Sequence, residues 1–186
     1  MKLITKLRES TRDQHAQLDQ ISEMKRLTST DVEVNDYKNY LRAFLKIYAT
    51  IESEIYEYAS VYIKEINLNR RLPQLKNDLV QLKVEHESLE VDKKLILNHK
   101  EYLGALCVME GSRLGGNQIG KHLSNHLSMD KKNLSFLISP PTVKWSQIIS
   151  FINEQPEENH VEVIKGAQKV FQYFYDELTD FYKGIE

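Results

Sequence analysis

Cysteine is almost missing: the 186 residues contain one thiol, Cys107. That excludes an internal disulfide and any multi-cysteine metal site, and it fits a reducing compartment. An excess of one charge is missing too. The 25 Lys and Arg against 27 Asp and Glu leave a formal net charge of −2 with the signs interspersed, so no basic stripe is available to neutralise phosphates and nucleic acid is not an expected partner. No run approaches the roughly 20 apolar residues that cross a bilayer. The opening MKLITKLREST returns to charge at Lys6 and Arg8, too early for the apolar stretch of a signal peptide. With no repeat, low-complexity tract or long linker, the expectation is a soluble, cytoplasmic chain with no membrane partner, forming one domain over residues 1–186.

Strand-type alternation is almost absent as well, and helical periodicity dominates. Leu3, Leu7, Thr11, His15 and Leu18 recur at spacings of three and four, one stripe of a first helix. Asn35 or Asp36 can cap a long second helix with an inner face from Tyr37 through Phe44 and Tyr48 to Tyr62. Pro73 suits the first turn of a shorter helix carrying Leu75, Leu79 and Leu82. Apolar periodicity from about Leu89 to Leu127 predicts one kinked helix or two. Ser139-Pro140-Pro141 stops it, a short amphipathic helix follows at Trp145 to Ile152, and Pro156 opens a last one reaching Phe181. The fold class read from this pattern is all-α, with about six to eight helices.

Glycine is scarce and unevenly placed. Four of the seven stand in EGSRLGGNQIGKHL, residues 110–123, at Gly111, Gly115, Gly116 and Gly120. Four glycines inside a helix forfeit on the order of 3–4 kcal/mol relative to alanine. They either permit a close helix crossing, since two pairs stand four apart on one face, or leave a bare face for a flat ligand. Among the histidines, His15 differs from the rest. On a helix Arg8, Arg12 and Asp19 all come near its ring. That grouping suits either a core histidine with surface ion pairs, or a metal ligand whose other N–H is held by a carboxylate.

LRESTRDQHAQLD, residues 7–19, resembles the opening helix of heme oxygenases, and YLGALCVMEGSRLGG, residues 102–116, resembles the distal helix of their bacterial branch. RRLPQLKNDLVQL, residues 70–82, and GAQKVFQYFYDEL, residues 166–178, are weaker echoes of bacterial members. The two strong motifs stand in the family's order, about 100 residues apart, and the length matches across nearly the whole chain. The resemblance implies a multi-helix bundle holding heme between the first helix and a kinked, glycine-rich distal helix. It makes His15 the axial ligand of the iron, with Asp19 behind it, and sets Arg8 and Arg12 at the propionates. It places Gly111, Ser112, Gly115 and Gly116 at the oxygen side. Ser112 stands where animal-type members carry an aspartate, and Cys107 where many relatives carry an aromatic residue.

The activity so implied is cleavage of heme to biliverdin, ferrous iron and carbon monoxide, with heme as substrate and cofactor and O2 as oxidant. The chain has no nucleotide-binding glycine motif and no iron–sulfur cysteines, so electrons would come from a separate ferredoxin or NAD(P)H-dependent reductase. A non-catalytic heme carrier or sensor of the same fold would keep His15. A di-iron bundle is suggested by Glu157-x-x-His160 but lacks the second such motif. A thiaminase-like activity would need a reactive thiol, whereas Cys107 lies in the apolar run GALCVM.

Overall fold

The computed structural model describes residues 1–62, 68–86, 94–96 and 98–185. Apolar residues at three- and four-residue spacings produce helices throughout them, and no strand occurs among the described residues. The helices are α1 (Leu3–Ser10), α2 (Arg12–Gln20), α3 (Ser22–Arg26), α4 (Val34–Tyr62), α5 (Leu72–Gln81), α6 (His99–His126), α7 (Ser135–Ile138), α8 (Trp145–Asn153) and α9 (His160–Lys183). None of them is long and apolar enough to cross a membrane.

The count exceeds the sequence reading for local reasons. The first stripe is broken at Thr11, whose hydroxyl turns back to the Leu7 carbonyl at 2.8 Å, an alternative to regular helix that bends the chain. His15 N still bonds the Thr11 carbonyl at 3.0 Å, so α1 and α2 share a direction around a kink. Asp36 is not the residue before α4 but its third, and its carboxylate reaches back to Glu33 N at 2.7 Å. The expected start of the glycine-bearing helix near Leu89 lies outside the described residues. α6 begins at His99, where Asn98 Oδ1 accepts from Lys100 N and Glu101 N, each at 2.9 Å. From there it runs unbroken through all four clustered glycines. The short α7 had no visible periodicity of its own.

α6 and α9 share the most extensive helix interface, and glycine on each explains it. A Cβ at Gly104 would strike the Val163 carbonyl and Ala167 N; one at Gly166 would strike the Glu101 carbonyl. The two backbones touch there. Beside the crossing the buried Glu101 carboxylate receives Lys169 Nζ at 2.7 Å. α1 and α2 lie along α9 through Gln168 Nε2 to the Ser10 carbonyl and Gln14 Nε2 to the Gln168 carbonyl, both 3.1 Å. His160, the residue behind the di-iron alternative, has both ring nitrogens engaged, by Lys6 Nζ at 3.3 Å and the Gln155 carbonyl at 3.2 Å.

Asp78, fully buried, ties α4, α5 and α7 together. Its carboxylate accepts from Tyr37 Oη and Phe136 N, both at 2.8 Å, and from Ser135 N at 3.1 Å. Those bonds fix Phe136, whose carbonyl matters below.

The crossing predicts opposite outcomes for two helical glycines. Gly166→Ala forces backbone apart and is expected to cost about 3 kcal/mol or more. Gly115, where an added Cβ meets nothing within 4 Å, is expected to gain up to about 1 kcal/mol on replacement by alanine. Urea unfolding of the two variants beside the parent measures both.

Candidate functional site

A cleft of about 700 Å³ lies between α1–α2 and α6, with further walls from α4, α8 and α9. Its volume falls in the range of small-molecule and cofactor sites. Arg8, Arg12, His15, Asp19, Gly111, Ser112, Gly115 and Gly116 all line it. These eight residues therefore meet at one place, although they come from segments about 100 residues apart, whereas Gly120, Glu157 and His160 lie outside it.

On the α2 side, His15 Nδ1 is 2.9 Å from Asp19 Oδ2, one turn on, and both side chains are 64% exposed. At that exposure the pair contributes little stability. Its effect is orientational: with Nδ1–H donated to the carboxylate, Nε2 keeps its lone pair. The ring centroid stands 5.7 Å from that of Phe171 on α9, which limits its swing. Arg8 and Arg12 are exposed at the mouth.

The glycines on the opposite wall divide between the two roles the sequence left open. Gly115 faces open space, and Gly111 faces only the Trp145 ring, 3.5 Å from where its Cβ would stand. A Cβ on Gly116 would lie 3.3 Å from Arg71 Nη2 and 3.5 Å from Leu137 Cδ2. At Gly120 it would strike Ile138 and Leu137. Gly120 is thus a packing glycine, Gly111 and Gly115 keep the cleft wall bare, and Gly116 does both.

Behind that wall is a polar network. Arg71, 3% exposed, donates through Nη1 to Tyr48 Oη and, at 3.1 Å, to Ser112 Oγ. Tyr48 Oη lies 3.0 Å from Ser112 Oγ, and Ser112 donates to the Met109 carbonyl at 2.7 Å. Since that bond uses the serine proton, Tyr48 is the donor to Ser112. Arg71 Nη2 donates to the Phe136 carbonyl at 3.0 Å, and its guanidinium lies over the Phe136 ring, 4.3 Å from the centroid. The Glu52 carboxylate caps α5 by accepting Arg71 N at 2.7 Å and Leu72 N at 3.0 Å. Burial raises the Glu52 carboxyl above its ordinary range, against the pull of those two N–H groups. Burial likewise raises the Tyr48 phenol, opposed by the Arg71 charge. A cavity of about 10 Å³ between Glu52, Arg71 and Glu110 has room for about one water.

A protein-family model described as Heme oxygenase matches residues 1–180. The chain belongs to the heme oxygenase family. It is accordingly a heme-degrading oxidoreductase. Among curated proteins no sequence match was found. Solved structures that share the fold include three heme oxygenases. The Neisseria meningitidis heme oxygenase, solved in NO- and CO-bound forms, aligns with a TM-score of 0.76 at 20% identity over 98% of this chain and 93% of that one. The Leptospira interrogans heme oxygenase gives 0.76 at 15% over 97% and 100%. Heme oxygenase-1 from the cyanobacterium Synechocystis, in complex with heme, gives 0.72 at 16% over 100% and 96%.

Sequence reasoning about this heme oxygenase missed Arg71 and Tyr48. Tyr48 sits on the apolar stripe of α4, where it reads as core; the signal was that a buried phenol needs a partner. Arg71 stands just before a proline-started helix, and its burial depends on α7, which the sequence did not reveal. Cys107 is a buried cleft-wall residue, as its apolar surroundings suggested.

Burial pushes the Cys107 thiol up to about 12 from an ordinary 9.0, with the Arg8 charge opposing. At pH 8 its thiolate fraction drops from about one in ten to about one in ten thousand. A disulfide reagent at pH 8 is expected to react with the folded protein at least about 100-fold more slowly than with the urea-unfolded chain. Equal rates would contradict the burial.

Proposed function

We propose that this chain cleaves heme oxidatively to biliverdin, ferrous iron and carbon monoxide, using O2 and electrons from a separate ferredoxin or NAD(P)H-dependent reductase. The observation that carries the reading is His15, held through Nδ1 by Asp19 with Nε2 left for an iron, directly on a cleft large enough for a macrocycle. The residues fit the group: apolar side chains from α6 and α9 for its faces, two arginines at the mouth for its carboxylates, and a bare Gly115 opposite.

His15 would hold the iron, and its neutral imidazole suits oxygen chemistry that does not rely on the strong electron push of a thiolate. Bound there, heme supplies the iron at which dioxygen is activated. The protein orients the macrocycle, keeps the opposite wall bare and manages protons. Ser112 Oγ is a hydroxyl on the α6 wall of the cleft. If its proton turns from the Met109 carbonyl and leaves toward the cleft, Tyr48 Oη can replace it along the 3.0 Å contact, which leaves a phenolate beside the Arg71 guanidinium until a proton returns by the same route. Arg71 holds both oxygens in place and favours negative charge on them. Ser112 thus stands where the family's animal-type aspartate would be, supported by a tyrosine and an arginine from other helices.

Titration of the purified protein with hemin is the direct test. The expected result is a six-coordinate, histidine-type spectrum that converts to biliverdin when reductant is added in air; binding without conversion would instead mark a carrier. His15→Ala, a change at an exposed side chain, should keep the helical fold, lose that spectrum and retain less than about a tenth of the turnover.

Arg8→Glu with Arg12→Glu should leave hemin affinity within about tenfold, because exposed ion pairs contribute about 0–1 kcal/mol each. The mixture of biliverdin isomers, read by chromatography, is expected to change. Gly115→Leu should leave the melting temperature of the ligand-free protein nearly unchanged, since the position faces open space, while weakening hemin uptake.

A further inference from the structure

Tyr40 on α4 is a cleft residue that none of the above employs. It is 4% exposed and lines the cleft. Its ring is held against Phe44, with centroids 4.1 Å apart, and near Tyr37 and Phe136 at 6.1 and 6.2 Å. Its hydroxyl makes no hydrogen bond among the described residues, whereas Tyr37 Oη and Tyr48 Oη beside it are both bonded. The atom is not sealed off but opens on the cleft, and a polar group so placed is satisfied by water or by what the cleft holds. The cleft is where its partner must come from.

The position of Tyr40 along the cleft follows from contacts to α9. Lys6 meets His160, Ser10 and Gln14 meet Gln168, and His15 meets Phe171, so α1 and α2 ascend α9 in order. α4 runs the other way, with Thr50 on Tyr173 at 3.1 Å and Lys46 on Glu177 at 2.7 Å. Tyr40 therefore belongs at the level of Leu178 and beyond, on the far side of His15 from Arg8 and Arg12. A heme ligated by His15 with its carboxylates at the arginines turns its opposite edge toward Tyr40. That edge carries methyl and vinyl groups and accepts no hydrogen bond. Opening the ring there leaves a lactam carbonyl on each of the two flanking pyrroles.

We infer that the Tyr40 hydroxyl is a hydrogen-bond donor for a lactam carbonyl of the opened tetrapyrrole, so that it recognises product rather than heme. The inference rests on the heme-cleaving function proposed above. It makes Tyr40 a residue that slows release of product opened at the edge remote from the propionates.

The test compares the full-length protein with Tyr40→Phe, which keeps the ring packing and removes only the hydroxyl. Each is titrated separately with hemin and with the biliverdin isomer opened between the two propionate-free rings. The biliverdin Kd is expected to rise about 2–10-fold, the net worth of one hydrogen bond, with the hemin Kd unchanged. The lactam carbonyl stretch of bound biliverdin should move to higher frequency in the variant. The ligand-free variant should melt no lower than the parent, because a hydroxyl without a partner in the protein is lost. An unchanged biliverdin affinity, or equal weakening toward hemin and biliverdin, would overturn the assignment while leaving the heme-cleaving reading intact. A parent protein that takes up neither compound would overturn both.

Discussion

The contact on which the molecule depends is backbone against backbone, where α6 crosses α9 at Gly104 and Gly166. Neither position tolerates a Cβ, because the atoms that would be struck are main-chain carbonyls and amides that cannot rotate away. The crossing sets how far apart the α6 and α9 walls of the cleft stand. One turn or more further along each helix, Cys107 to Gly116 and Phe171 to Leu178 face the same space. Had the helices been held apart by alanines, the cleft would be wider and its apolar faces could not both touch a flat ligand. Two glycines outside the conspicuous cluster thus do as much for the site as those within it.

The polar side of the site is fixed from a distance by a chain of obligations. A buried arginine must have its N–H groups satisfied, and breaking a buried ionic network costs about 3–5 kcal/mol. Arg71 meets this need through the Phe136 carbonyl, Tyr48 and Ser112. Phe136 is in turn placed by Asp78, which accepts its N–H while also holding Tyr37. The orientation of one hydroxyl on the cleft surface, Ser112 Oγ, therefore depends on α4, α5 and α7 at once.

The sequence disclosed those parts of the site that are local. His15 and Asp19 are one helical turn apart, so their contact is legible from spacing; the glycine cluster announces itself by its cost. The all-α class followed from periodicity. What stayed hidden depends on long-range packing. Spacing could not divide Gly115, open to the cleft, from Gly120, packed on Leu137 and Ile138, because the difference lies in α7, a one-turn helix with no period to detect. For the same reason nothing in the sequence marked Arg71. The kink at Thr11 comes from a hydroxyl choosing a backbone acceptor, a choice that apolar periodicity does not encode.

The two walls differ in how firmly they are held, and this bears on how a ligand enters. The α6 wall has a buried residue on each turn of the glycine segment, at Arg113, Gly116, Gly120 and Leu123, whereas α2 and α3 contain no buried residue at all. A nine-residue helix is marginal in water without an apolar face packed against something. α2 has the Gln14 contact to α9 and the continuation of the α1 chain, but its cleft-facing residues, His15, Ala16 and Leu18, border a space that protein does not fill. Elements with few buried contacts open at low free-energy cost. A macrocycle seated on His15 would give α2 the apolar partner it lacks, so closure of this wall and capture of the ligand become one event. The firmly packed wall carries Ser112 and the bare backbone of Gly115, and the less buried wall carries His15, the ligand proposed above, at a place reached from solvent.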